Sequence, residues 1–248
     1  DPRVSKEGWT LTVEGRVERP LALTYEELRR RPSLTQYVTL MCISNPVGGD
    51  LMGNALWKGV PLRDLLAEAG VKEPDKIRKV ALFAADEYYD SITLAKALEP
   101  GTIVAYEMNG DPLPYSHGFP ARLLVPGIYG MKNVKWLTSI KLLDHDFIGF
   151  WQERAWSDEA IYQTMSRIDV PTNEDTYLRA EIDFVGGVAF AGDRGIRRVE
   201  VSTDGGDTWL EAEVKEANSP NTWVLWTAEW LPPGPGDYTI WVRATDKT

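Results

Sequence analysis

The 248-residue sequence contains one cysteine and two histidines. A single thiol excludes an internal disulfide, a zinc ribbon and a CxxCH haem attachment, and two histidines leave little for a His-rich metal site. Positive charge is also scarce: 27 Lys and Arg stand against 37 Asp and Glu, a net charge of −10. Such a chain repels phosphate backbones, so no nucleic-acid partner is expected. No apolar run approaches the ~20 residues needed to span a bilayer, and there is no internal repeat or low-complexity tract. Apolar residues, by contrast, make up 43% of the chain, with ten Trp and ten Tyr. That is enough for a substantial core, and it excludes disorder as the main state. Any redox or metal chemistry must rest on Cys42 or on a cofactor. The start "DPRVSKEGWTLTVEG" has no Met and the end "WVRATDKT" falls in strand-like sequence. Together they read as an excised soluble piece from which a leader or membrane anchor was removed.

The first two-thirds mixes helix and strand signals. "WTLTVEG" alternates as a half-buried strand does. Thr24 and Glu27 in "TYEELRRRP" form a capping box for a short helix that Pro32 stops. "PLRDLLAEAG" has Pro61 at a first-turn position and Gly70 after the last turn, which predicts a second helix. "TLAKALEPG" predicts a third. "YVTLMC", "RKVALFAA", "IVAYEMNGDPL" with its Asn-Gly turn, "ARLLVPG" and "VKWLTSIKLL" predict strands. This intermixing predicts an α+β domain with a mixed sheet over residues 1–170. From 171 to 248 the signals are strands joined by Gly, Asp and Pro turns, with "DGG" marking a hairpin. Five of the ten tryptophans lie there, and they predict the filling between two sheets. The expectation is an immunoglobulin-like β-sandwich lacking the usual Cys pair, with the boundary in the polar stretch "DVPTNEDTY".

Cys42 ends a strand in "TLMCISNPVGGD", just before a Pro/Gly-rich loop. From the residues alone it is either a small buried apolar group or a thiolate that a metal or substrate can reach. His117 lies in a loop five residues before Arg122. Arg122 opens an apolar strand, where a cation is costly unless it meets an anion, and a guanidinium fork suits phosphate. Lys135 adds a third basic group in the apolar "KNVKWLTSI". Basic groups converging in an acidic protein point to a bound anion.

"TLMCISN", "AYEMNGDPLPYSHGFPARLLVPGIYGMKNVKWL" and "WQERAW" resemble the sulfite oxidase family of molybdenum enzymes. "RRVEVSTDGGDTW" and "TWVLWTAEW" resemble that family's immunoglobulin-like dimerisation domain, so the resemblance covers nearly the whole chain. It implies molybdopterin as cofactor and Cys42 as the protein thiolate on molybdenum, a soft ligand suited to a sulfur-rich centre. It also implies pterin and phosphate contacts from His117, Arg122 and the stretch Asn133, Val134 and Lys135, with Asp86 a further pterin contact and Asn45 holding the loop near the metal. Two departures bear on substrate. The arginine pair that sulfite oxidases carry after the cysteine reads Pro46 and Val47 here, and the active-site tyrosine corresponds to Trp156. Arg154 is then the remaining candidate for a positive charge at the substrate.

The resemblance therefore implies oxygen-atom transfer to or from a small-molecule substrate. Electrons would pass to a cytochrome or a membrane haem or quinone partner, since His117, His145 and one cysteine cannot hold a haem. It further implies a homodimer and a place in the periplasm or on the cell exterior, with tethering to the membrane. Two other classes stay open on the residues alone. One is a cysteine hydrolase using Cys42 with His117; the other is a non-catalytic binding module built on the β-sandwich.

Overall fold

Thr24 caps its helix as the capping box requires: its side chain accepts from the Glu27 N–H while Glu27 reaches back to the Thr24 N–H. The structure, a computed structural model, describes residues 2–172 and 184–248. The sequence boundary beyond Thr172 lies outside the described residues. Contacts divide the chain into two compact units, Asp1–Val38 with Ala55–Ala160, and Thr39–Asn54 with Ile161–Thr248.

The first unit holds the helices α1 (Tyr25–Arg29), α2 (Leu62–Ala69) and α3 (Leu94–Leu98). One sheet consists of β1 (Thr10–Gly15), β2 (Leu21–Thr24), β5 (Lys79–Ala84), β6 (Tyr89–Ile92) and β10 (Leu137–Leu143), in the order β2-β1-β10-β5-β6. β1 and β10 pair in parallel and the other neighbours are antiparallel. A second sheet has the order β3-β4-β7-β8, from β3 (Leu34–Met41), β4 (Met52–Pro61), β7 (Ile103–Met108) and β8 (Asp111–Pro112), with β9 (Arg122–Leu124) also on β7. Asn109 and Gly110, both at positive φ, turn β7 into β8, the geometry that an Asn-Gly hairpin favours. α2 buries Leu62, Leu65, Leu66 and Ala69 on one face and ends at Gly70, with φ +72°.

The sequence reading departs from the structure at several elements. Pro61 is the N-cap of α2 and the last residue of β4, not a first-turn residue. β4 and β6 were not expected as strands, nor was β11 (Met165–Val170).

The second unit pairs two sheets. One has the order β11-β12-β16-β15, built from β12 (Phe184–Phe190), β15 (Glu213–Val214) and β16 (Val224–Glu229) with β11. The other has the order β14-β13-β17, from β13 (Ile196–Ser202), β14 (Leu210–Glu211) and β17 (Trp241–Asp246). Val185, Ala189, Val199, Val201, Val224 and Trp226 form its core, giving an immunoglobulin-like β-sandwich, while the first unit is an α+β domain. The expected tryptophan filling is narrower than the count implied. Trp226 is fully buried and Trp230 packs partly against the core, whereas Trp241 is half exposed on an edge strand. No helix among the described residues is long and apolar enough to cross a membrane.

Candidate functional site

Cys42 follows β3 directly and belongs to the second unit. Its thiol is half-buried, with Sγ 3.0 Å from the Ser44 hydroxyl. The loop it opens closes on itself. The Cys42 N–H donates to Leu51 O (2.9 Å), the Asn45 N–H to Cys42 O (3.1 Å), and the Gly49 N–H to Pro46 O (2.8 Å). Asn45 Oδ1 accepts the Leu51 N–H at 2.9 Å, so the Asn45 side chain ties the two limbs of the loop together. A Cβ at Gly49 would lie 2.6 Å from both Asn45 Oδ1 and the Pro46 ring, which leaves glycine as the residue that fits. Val47 at the loop tip is fully exposed.

The basic cluster belongs to the first unit, and the structure brings its three groups together. Arg122 is buried at the start of β9, donating to His117 O (3.2 Å) and Asn133 O (3.0 Å). Lys135 Nζ donates to Ser116 O at 3.0 Å and lies 4.2 Å from the Trp136 ring centroid. Burial, then the charges of Arg122 and Lys135, hold the His117 imidazole below its ordinary value near 6.5. Burial and Arg122 likewise lower Lys135, with Asp86 opposing from its exposed turn. Gly118, at φ +105°, makes this convergence possible: a Cβ there would meet the Lys135 Cβ at 2.9 Å and the Arg122 Cβ at 3.1 Å.

One support was not singled out from the sequence. Trp57 on β4 is buried, 5.3 Å from the Arg122 guanidinium and 6.5 Å from the His117 ring. Its place inside was not legible because β4 itself was not. The Asn133 side chain is wholly engaged within the fold. Its Oδ1 accepts the Val125 N–H (2.6 Å), and its amide donates to Ile128 O and Tyr129 O. Val134 is buried and its carbonyl accepts the Leu123 N–H at 2.9 Å. Asn133 and Val134 thus shape the strand and turn around Arg122.

The segment after β10 carries Arg154 and Trp156. Ala155, at φ +64°, ends a tight turn and brings Trp156 back onto Trp151, ring centroids 4.5 Å apart and nearly parallel. The exposed Arg154 guanidinium lies 3.8 Å from the Phe150 ring centroid and donates to Phe150 O. Next to this turn in the chain, the buried Lys132 and Asp90 pair with the half-exposed Asp158 in an ion cluster that the sequence did not announce. Lys132 Nζ donates to Asp90 Oδ1 (2.8 Å), Ser91 O (2.9 Å) and Asp158 Oδ1 (2.9 Å), spending all three of its protons. Burial pushes the Asp90 carboxyl up against the pull of Lys132. A Cβ at Gly149 would meet Asp90 Oδ1 at 2.4 Å, so the segment docks only through glycine.

These groups fit a phosphate-bearing metal cofactor. A cluster of basic groups packed around a glycine gains from an anion. No group of three or more His, Cys, Asp or Glu that could hold a metal occurs among the described residues. A metal on Cys42 would therefore bring its other ligands with it, as molybdopterin does through its dithiolene sulfurs.

Residues 1–151 match the family described as oxidoreductase molybdopterin binding domain, and residues 159–248 match the Mo-co oxidoreductase dimerisation domain. The chain belongs to the sulfite oxidase family. Mitochondrial sulfite oxidase of Drosophila melanogaster is 33% identical over 99% of this chain and 51% of that protein. The NADH nitrate reductase of Volvox carteri is 30% identical over 92% of this chain and 33% of its own length. Among solved structures, the sulfane dehydrogenase SoxCD of Paracoccus pantotrophus matches with a TM-score of 0.87 and 27% identity, over 99% of this chain and 69% of that one. The chain spans about half the length of the animal sulfite oxidases it matches. Its family cofactor is molybdopterin, and neither the hydrolase nor the binding-module alternative is favoured. Ser44, the partner seen at the Cys42 sulfur, is no general base.

Proposed function

We propose that this chain is the catalytic part of a molybdenum-dependent oxidoreductase, with Cys42 as thiolate ligand and His117, Arg122 and Lys135 as the cradle for the cofactor phosphate. The observation that carries the reading is the convergence of those three basic groups around Gly118. The bound cofactor would supply two-electron oxygen-atom transfer. The chain's own residues bind and orient it. Arg122, buried and fixed by two carbonyls, presents its charge without conformational search. His117, held neutral by its neighbours, takes up a proton when an anion arrives. Trp57 keeps water from beneath both. Asp86 moderates Lys135, Asn45 keeps the thiolate loop closed, and Asn133 with Val134 holds the strand that carries Arg122.

The substrate we propose is small and neutral or weakly charged, such as a sulfoxide or another oxygen-atom donor. Pro46 and Val47 offer no charge to a dianion, and Arg154 lies over Phe150. Trp156 replaces a hydroxyl with bulk and a single N–H donor. Losing a desolvated charge pair with an anionic substrate costs on the order of 2–5 kcal/mol, a factor of tens to thousands in kcat/KM. Steady-state assays with a cytochrome or ferricyanide as acceptor should therefore show poor sulfite turnover, beside measurable sulfoxide reduction with a reduced dye. Sulfite turnover near 10 s⁻¹, the rate of an ordinary efficient enzyme, would contradict this specificity.

The electron partner in this reading is a cytochrome or a membrane haem or quinone subunit, and the location is the periplasm or the outer face of the membrane. Residues 171–248 would form a homodimer, supported by the dimerisation-domain match and by exposed Phe184, Leu225 and Leu231.

A further inference from the structure

The loop that carries Cys42 is held by residues of the sandwich. At its entrance the Thr39 N–H donates to Asn221 O (3.0 Å) and Thr39 Oγ1 accepts the Trp223 N–H (3.0 Å). The buried Met41, immediately before the cysteine, donates its N–H to the Tyr162 hydroxyl at 3.2 Å. At the exit, Arg167 Nη1 donates to Gly49 O at 2.7 Å. Both side chains are themselves fixed. Tyr162 is fully buried, packs its ring edge-on to Phe190 with centroids 4.9 Å apart, and has its carbonyl held by Arg194 at 2.9 Å. Arg167 is paired with Asp169 at 2.6 Å. Tyr162 and Arg167 lie in the segment matching the dimerisation domain, while the cysteine loop lies in the segment matching the cofactor domain.

We propose that Tyr162 and Arg167 are positioning residues for Cys42, fixing the two ends of the Cys42–Leu51 loop and so the direction in which the thiolate points. The physical ground is that a cysteine side chain has one torsion between backbone and sulfur. The backbone at Met41 and Cys42 therefore sets where Sγ lies. Without the Tyr162 hydroxyl the buried Met41 N–H has lost its partner, and without Arg167 the Gly49 carbonyl has. In the first case the loop opens more often because a buried polar group prefers a state that reaches water, and in the second because the exit limb has lost its tether to Arg167.

The inference rests on the reading of Cys42 as the metal ligand, and two measurements separate them. Cys42 is the sole cysteine, so the alkylation rate of metal-free chain by iodoacetamide reports on this loop alone and needs no cofactor. Tyr162→Phe and Arg167→Met should each speed alkylation by about tenfold at an unchanged melting temperature, and Arg167→Lys should restore part of the protection. In the molybdenum-loaded protein, Tyr162→Phe and Arg167→Met should displace the thiolate-to-metal absorption band with molybdenum content unchanged. Should Tyr162→Phe fail to fold, the Arg167 variants carry both measurements. Alkylation within twofold of the parent, acceleration that only follows a lowered melting temperature, or an undisplaced band in the folded variants would overturn the proposal. An absorption spectrum that ignores Cys42→Ser would instead overturn the ligand reading.

Discussion

His117 shows what burial and neighbouring charge do to a single residue. The resemblance places it at the cofactor. The structure gives it two basic neighbours and partial burial, which together keep it neutral near physiological pH. The consequence for stability has a definite sign. Its folded value lies below the unfolded value near 6.5, so the unfolded chain binds more protons as pH falls through that interval. The metal-free protein should lose stability on acidification from pH 7.5 into the interval below 6.5. His117→Gln should lose less, and phosphate in the buffer should blunt the loss in the parent. Thermal melts at the two pH values check this. Equal losses in parent and variant would show that His117 is not held neutral.

At the scale of elements, turn and cap chemistry was legible wherever it is local. The Thr24 capping box, the Asn109-Gly110 hairpin and the Gly70 helix end all depend on residues a few positions apart. β4 was not legible, because two glycines and an Asn break the alternation in "MGNALWKGVP", and its place is set by pairing with β7 some fifty residues later. β6 and Lys132 were hidden for a related reason. A lysine inside "GMKNVKW" reads as solvated, and only the folded chain brings Asp90 and Asp158 to it. This cluster bolts β6 to the tight turn before β10 and to the segment bearing Trp156. Lys132→Met leaves Asp90 buried and unpaired, a change that typically costs about 3–5 kcal/mol. Denaturant unfolding of Lys132→Met should show a loss of that size, and Asp158→Asn, with its partly exposed carboxylate, should lose much less. Equal losses would mean that Asp90 does not depend on Lys132.

For the whole molecule, the fold class was readable because "AYEMNGDPLPYSHGFPARLLVPGIYGMKNVKWL" carries the family over some thirty residues. The part that was not readable is where the cysteine loop belongs. Composition and motif assign Thr39–Asn54 to the cofactor domain, yet its hydrogen bonds place it with the sandwich. Such long-range bonds have no local signature. The sandwich should also mediate self-association, and sedimentation at micromolar concentration should show a dimer that Leu225→Glu with Leu231→Glu weakens. A monomer in the parent would contradict that role. The central claim, that this is a molybdenum oxidoreductase with Cys42 on the metal, is tested most directly by metal and pterin analysis of chain made in a cofactor-competent host, beside its Cys42→Ser variant. The account predicts one molybdenum and one pterin per chain, with a thiolate-to-metal absorption band that the variant loses. Purified chain without stoichiometric molybdenum, or a variant with the same spectrum and activity as the parent, would contradict it.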